Sequence, residues 1–202
     1  IEGDFILSAC DNLVPVEDIQ RLLARWTSEP RPAALLSLLE VEPEQVEVSG
    51  VVSLEGARVL EIVEKPGPEQ APTNTISLPL YLFTPSLLDY LAGVPRSPRG
   101  EYELQDAIQA LIDRGSPVYG ERASSRMTLT GPSDLLAINR HFLQSRQRIG
   151  FGYPASVGHG TQIHPPVFIE EGTRIREDCI IGPNAYIEPD CRIEPRAVVR
   201  EA

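Results

Sequence analysis

Asp11, Glu64, Lys65 and Asn74 are the residues of this 202-residue chain whose types and settings could do chemistry. Asp11 directly follows the apolar run Phe5–Cys10, which reads as a strand. In open α/β sheets the carboxyl edge of the strands is where ligands bind. A carboxylate there can hold Mg²⁺, which takes one or two protein carboxylates and fills its shell with water and phosphate oxygens. The same aspartate could equally cap the next turn. Glu64-Lys65-Pro66 closes another strand-like run. Its carboxylate can accept hydrogen bonds from sugar hydroxyls, the adjacent ammonium can sit on a phosphate as a point charge, and Pro66 stiffens the exit. An ordinary charged strand end would look the same. Lys65 is nevertheless the single lysine among 18 basic residues, which suits a place where a compact charge is wanted. Asn74 could hydrogen-bond a sugar hydroxyl, although asparagine is also common in turns.

These residues need elements to carry them. The continuous apolar run Phe5–Cys10 suits a strand buried on both faces of a mostly parallel sheet. Val16–Trp26 has apolar residues at helical spacing with Glu17 and Asp18 in its first turn. Ala33–Leu39 predicts the next strand, and Val46–Val52 with Ala57–Val63, around Glu55-Gly56, predicts a hairpin. Gly67–Thr73, with Pro68, Glu69, Gln70 and Pro72, reads as a polar loop, and Ile76–Phe83 as a strand. Pro85–Leu91 predicts a short helix, Ser97–Gly100 a loop and Glu103–Ile112 a helix. Pro117–Tyr119 predicts a short strand and Pro132–Leu143 a helix opened by proline. Alternating strands and helices give an α/β domain over about 1–146.

From Val157 onward isoleucine or valine recurs every sixth residue: Val157, Ile163, Ile169, Ile175, Ile181, Ile187, Ile193 and Val199. Four residues after each comes a slim residue, among them Thr161, Val167, Thr173, Cys179, Ala185, Cys191 and Ala197. Neither a helix nor a simple strand has that period; a hexapeptide repeat does, and it predicts a parallel β-helix over 152–202. Each hexad makes one flat side, the branched residue points inward, and glycines and prolines such as Gly158, Gly160, Gly172, Pro183 and Pro189 suit the corners. Cys179 and Cys191 fall in slim inward slots, so they read as core filler rather than metal or redox groups.

Composition sets further bounds. With 42% hydrophobic residues the chain can build a real core, and a formal charge of −11 argues against a nucleic-acid surface. No apolar run reaches the ~20 residues of a membrane span, and no signal peptide is visible. Three cysteines do not make a disulfide framework, so a cytoplasmic setting with no membrane partner is expected. The single methionine is Met127 and the chain opens on a strand-like run, which suggests a segment of a longer protein.

The motifs form an ordered series: Phe5-Ile-Leu-Ser-Ala-Cys-Asp11-Asn12, Val63-Glu-Lys-Pro66, Asn74, Leu80-Tyr-Leu-Phe83, Arg99-Gly-Glu-Tyr-Glu-Leu-Gln-Asp-Ala-Ile108, Pro132-Ser-Asp-Leu-Leu-Ala-Ile-Asn139, then the hexads. That series resembles the sugar-1-phosphate nucleotidylyltransferases with a left-handed β-helix tail. These include glucose-1-phosphate thymidylyl- and uridylyltransferases and bifunctional N-acetylglucosamine-1-phosphate uridylyltransferases. The resemblance implies an incomplete Rossmann-like nucleotidyltransferase domain and a left-handed parallel β-helix. It implies Asp11 as a Mg²⁺ ligand, Glu64 on the sugar ring, Lys65 on the sugar phosphate and Asn74 on a sugar hydroxyl. The reaction implied is attack of a sugar-1-phosphate oxygen on the α-phosphorus of a nucleoside triphosphate, releasing pyrophosphate, with positioning and charge neutralisation as the source of rate.

The chain departs from that pattern in several places. The family's glycine-rich nucleotide loop would precede Ile1. Its second metal-binding aspartate falls on Thr128 or, shifted by one, Leu129. A glycine of the strand after Asn74 falls near Pro79, and Cys10 stands where a glycine precedes the aspartate. The chain alone is therefore expected to be inactive, and a catalytically degenerate homologue that binds a nucleotide sugar or serves in assembly is the alternative. Hexapeptide β-helices also build acyltransferases, for which His159 or His164 would be the base. A histidine at a turn is usually just solvated, so the tail reads as structural. Its open end favours packing against another copy in a homo-oligomer.

Overall fold

The structure, a computed structural model, describes the chain except residues 29, 68–70, 147 and 153–154, and for Val48 and Arg146 the backbone alone. Part of the expected polar loop, residues 68–70, therefore lies outside the described residues. The chain divides into two compact units, Ile1–Met127 and Thr128–Ala202. The sequence placed the junction later, at 146–152. The difference is one helix, which is held to the repeat coil within the second unit.

The first unit contains, in order, β1 (Phe5–Ser8), β2 (Asn12–Leu13), α1 (Val16–Trp26), β3 (Ala34–Glu40), β4 (Gly50–Glu55), β5 (Arg58–Glu64), β6 (Thr75–Phe83), α2 (Leu88–Leu91), α3 (Leu104–Asp113) and β7 (Val118–Arg122). Six strands form one sheet in the order β1-β6-β3-β7-β5-β4, and β4 bonds back to β6. The ring β6-β3-β7-β5-β4-β6 thus closes on itself. β3 is buried over Ala34–Leu38, where Ser37 is the one polar residue: Ala34, Leu36 and Leu38 join the core under α3, while Leu35 packs with Leu22 and Trp26 of α1. Helix α3 contributes Ala107, Ile108 and Leu111 to that core, its apolar residues recurring at three- and four-residue spacing.

Three expectations change. The sheet is mixed rather than mostly parallel: β3 runs parallel to β7, but β1, β3 and β4 all run antiparallel to β6. The run Phe5–Cys10 is not a doubly buried strand. β1 bonds only to β6 among the described residues, with Phe5 and Leu7 packed on the core and Ile6 52% exposed. The first hairpin strand starts at Gly50, because Pro43–Val48 winds into a 3₁₀ helix with Pro43 in its first turn, and Val46 is buried from there.

Among the described residues, the second unit holds β8 (Met127–Thr128) at its boundary, α4 (Pro132–Arg146), and nine two- or three-residue strands from Ile149 to Val199. These strands make three parallel sheets whose register advances by 18 residues: Val157↔Ile175↔Ile193, Ile163↔Ile181↔Val199, and Val167↔Ala185. One coil is therefore three hexads, as the six-residue period requires. Ile169, Ile175, Ile181 and Ile187 are buried with the slim Val167, Thr173, Cys179 and Ala185. Val157, an inward position of the first coil, is 41% exposed because a coil lies on only one side of it, whereas Val198 is 59% exposed because it faces outward beside the inward Val199. Gly160, Asp178 and Arg196 occupy one corner in successive coils, all at positive φ. α4 is tied to this coil by an Asn139 amide donating to the Ala202 carbonyl (3.2 Å) and by Arg140 paired with Glu201 (2.8 Å). No helix among the described residues is long and apolar enough to cross a membrane.

Candidate functional site

One edge of β6 is shared by two strands. β3 takes the other edge over Thr75–Leu78 and again over Tyr81–Phe83. On the shared edge β1 pairs with Leu80–Phe83, and its last bond runs from the Ala9 amide to the Pro79 carbonyl (2.9 Å). β4 begins immediately beyond, with Gly50 opposite Ser77 and Val51 opposite Ile76. The chain therefore leaves the sheet at Cys10-Asp11 where Gly50 enters it. A sheet whose neighbouring strands part in this way leaves a crevice without any side chain having to move. The carboxyl end of β5 reaches it, because Glu64 is the register partner of Gly50, and Asp11 follows three residues after the end of β1.

Gly50 is the hinge of this geometry. A Cβ on it would stand 2.9 Å from Glu64 Oε2, 2.9 Å from Ser77 Oγ and 3.3 Å from Gln105 Cγ. A side chain at this position would have to push these three side chains aside. Glu64 Oε2 is buried and has no hydrogen-bond partner among the described residues. Burial pushes the Glu64 carboxyl up from its ordinary value, and the Lys65 ammonium pulls it back only in part. Lys65 lies 3.7 Å from Glu64 Oε1, its amide bonded to the Ser49 carbonyl (3.0 Å). Its backbone sits at φ +45°, a conformation glycine adopts at lower cost.

Sequence reasoning named Glu64 and Lys65 but missed their surroundings. Glu103, at the mouth of α3, accepts from Ser97 Oγ (2.9 Å) and Arg99 Nη2 (2.8 Å). Burial works to raise its carboxyl, yet those two hydrogen bonds and the Arg99 charge outweigh it and hold the group below the usual range. Glu64, Lys65, Arg99 and Glu103 act on one another electrostatically, so two cations stand among two carboxylates. Such a balanced set can admit an anion by releasing the cations from their carboxylates. Ser77 shares a hydrogen bond with the buried Tyr81 hydroxyl (3.2 Å), whose pKa burial lifts to about 12. Arg99 and Glu103 were visible in the series Arg99–Ile108. Ser77 and Tyr81 carry no sequence signal beyond alternation along β6.

The other candidates fall differently. Asp11 is half-buried, with Oδ1 accepting from the Asn12 amide (2.8 Å), which leaves Oδ2 for a cation. No group of three metal-ligating side chains exists among the described residues. Asn74 is exposed and lines a separate hollow of about 280 Å³ with Pro43, Glu44, Val46, Glu47, Ala71 and Thr73; the structure does not bring its side chain to Glu64. It is Ser77, three residues on, that faces that carboxylate. Thr128 is half-buried and Leu129 exposed, and neither side chain carries a charge for a divalent cation. His159 and His164 are exposed at coil corners.

Known proteins place this geometry in context. The family model described as nucleotidyl transferase matches residues 2–128, and the bacterial transferase hexapeptide model, of six repeats, matches 172–201. A glucose-1-phosphate thymidylyltransferase of Streptomyces griseus is 35% identical over 151 residues, covering 72% of this chain and 40% of the relative. The low-salt glycan biosynthesis nucleotidyltransferase Agl11 of Haloferax volcanii is 30% identical over 147 residues, with the same coverage of 72% and 40%. The chain thus spans well under half the length of these relatives. A crystal structure of UDP-glucose pyrophosphorylase complexed with UDP-glucose shares the fold, at a TM-score of 0.62 and 19% identity over 71% of this chain and 57% of that one.

Proposed function

The chain belongs to the nucleotidyl transferase family, and from that premise we propose that the protein it comes from joins a nucleoside triphosphate to a sugar-1-phosphate, giving a nucleotide sugar and pyrophosphate. The observation that carries this reading is the Glu64-Lys65 pair at the crevice between β1 and β4, with Lys65 held at a positive φ. In this reading Glu64 accepts a hydrogen bond from a sugar hydroxyl. Lys65 turns from Glu64 to the sugar phosphate, helped by Arg99, and Asp11 offers one carboxylate oxygen to Mg²⁺. One carboxylate is enough for Mg²⁺ when phosphates and water complete the shell. The bound ion would neutralise charge on the reacting phosphates. Asn74 is proposed to meet the ligand only through movement of its loop. We further propose a left-handed sense for the coil, a cytoplasmic homo-oligomer assembled through it, and no turnover by the 202-residue chain alone, since it spans 40% of these relatives.

The test is pyrophosphate release by the full-length protein with Mg²⁺, glucose-1-phosphate and each nucleoside triphosphate in turn. Release with at least one triphosphate is expected, and Lys65→Ala should weaken glucose-1-phosphate binding about tenfold, the scale of one charge-assisted hydrogen bond. No release with any triphosphate, together with no measurable binding of the sugar phosphate, overturns the reading.

A further inference from the structure

Strands β1 and β4 compete for one edge of β6, and Pro79 stands where that competition is decided. β1 pairs antiparallel with β6 from Phe5↔Phe83 to Ser8↔Leu80, so Ala9 falls opposite Pro79. Residues opposite one another in such a ladder are either hydrogen-bonded pairs, exchanging two bonds, or pairs that exchange none. The Ala9 amide donates to the Pro79 carbonyl (2.9 Å), which makes this a hydrogen-bonded position. Its second bond needs an N–H that proline does not have. The Ala9 carbonyl accordingly receives no backbone hydrogen bond among the described residues, and accepts only from the Ser8 hydroxyl (3.2 Å).

One step further the two strands would collide. In the β1 register the next hydrogen-bonded position sets Asp11 opposite Ser77, and Ser77 is already the partner of Gly50. Asp11 would also fall in phase with Phe5 and Leu7, which pack on the core, so its carboxylate would be carried toward apolar surroundings at a cost. Instead the chain turns at Cys10-Asp11 and starts β2 at Asn12. Pro79 is the one half-buried residue of β6, the other eight being buried. The β3 register breaks beside it, with Leu36 paired to Tyr81 but Ser37 to Leu78. Proline within a sheet is confined to such irregular points, since it has no bond to give.

We propose that Pro79 is the positioning residue of Asp11. By withholding an N–H from the Ala9 carbonyl it stops the β1–β6 ladder at Ala9 and keeps Ser77 for β4. Asp11 is thereby left in the turn, where Oδ1 is bonded to the Asn12 amide and Oδ2 is left for a cation. The proposal rests on the reading of Asp11 as a Mg²⁺ ligand and adds what holds that ligand ready. Pro79 touches no ligand itself; it acts through the path of the chain. An N–H at position 79 would find the waiting Ala9 carbonyl, draw it onto β6 and pull the turn with it.

The experiment uses the full-length protein and the Mn²⁺–pyrophosphate complex as probe, with binding read by water-proton relaxation, which is enhanced when the ion sits on the slowly tumbling protein. Three variants are compared with the parent. Pro79→Ala restores the N–H. The hydroxy-acid analogue of alanine at position 79 has the same side chain but an ester in place of the amide, and so no N–H. Asp11→Asn removes the proposed ligand. In Pro79→Ala the new amide is expected to exchange its hydrogen at least about 100-fold more slowly than an unbonded one. Affinity for the probe should fall about tenfold in Pro79→Ala, the scale on which a disturbed support of a metal ligand is felt. It should return to the parent value in the ester variant, and glucose-1-phosphate affinity measured without metal should be the same in both. A rapidly exchanging amide at position 79, an affinity for the probe unchanged by Pro79→Ala, or an ester variant as weak as Pro79→Ala overturns the proposal. If Asp11→Asn leaves the affinity for the probe unchanged, the reading of Asp11 as the metal ligand fails and takes the proposal with it.

Discussion

Lys65 and Glu64 show how one residue can be set against its own fold. A left-handed backbone costs a non-glycine residue about 1–2 kcal/mol, and glycine returns part of that as lost chain entropy. Lys65→Gly is therefore expected to leave the melting temperature unchanged or slightly raised while glucose-1-phosphate affinity falls about tenfold. A matching loss of stability in a thermal melt would mean that lysine serves the fold instead. Glu64 is the second case. Burial lifts its carboxyl above the ordinary range, with Lys65 opposing, so the folded chain holds this proton more firmly than the unfolded one. Its contribution to stability is whole below the ordinary carboxylate value and is lost as pH rises through the lifted value. Glu103 runs the other way. Hydrogen bonds from Ser97 and Arg99 outweigh burial there, so its contribution holds above the ordinary carboxylate value and is lost as pH falls through the lowered one. Glu64→Gln should accordingly melt up to about 3 °C above the parent at pH 8, with the gap closing near pH 4. Melts across that range check it.

At the scale of elements, the crevice is a product of strand register. β1 and β4 share one edge of β6 in succession, and Gly50 stands between Glu64 and Ser77 because β4 begins at that point between β5 and β6. The repeat coil obeys a simpler rule. Its ladder bonds run from each coil to the next, as from the Ser156 amide to the Thr173 carbonyl (2.9 Å) and from Ile180 to Ala197 (2.9 Å). A residue in the middle coil has neighbours above and below, and one in an outer coil has them on one side. Ile181, fully buried, should cost about 2–5 kcal/mol when cut to alanine. Val198, 59% exposed on the outer face beside the inward Val199, should cost no more than about 0.5 kcal/mol. Denaturant unfolding of the two variants separates them.

For the molecule as a whole, a formal charge of −11 means that an anionic ligand is drawn in only by local cations. Lys65 and Arg99 supply these within the site, each facing a carboxylate partner. Screening at physiological salt acts beyond about 8 Å, so it removes the long-range repulsion by the acidic chain more than the short-range attraction. Affinity for glucose-1-phosphate is therefore expected to change by less than about threefold between low and physiological salt. A steep loss with salt, as a basic surface shows, would place the ligand elsewhere.

The hexads determined their own architecture in sequence. A strict six-residue period fits a three-sided coil and little else, so the inward isoleucines and the 18-residue register were legible from spacing alone. So were helix α1, β3 and the Glu64-Lys65 strand end, because local periodicity and strand punctuation carry them. The mixed sheet was not legible, since a run such as Phe5–Ser8 does not say which strand it will bond to or how much of it stays covered. Asn74 and Ser77 were indistinguishable as polar residues around one strand. Only the pairing of Ser77 with Gly50, and of Gly50 with Glu64, decided which one faces the carboxylate. Chain-local interactions fix periodicity and turns, whereas the meeting of three strand ends depends on contacts between residues far apart in sequence, and these exist only once the sheet has closed.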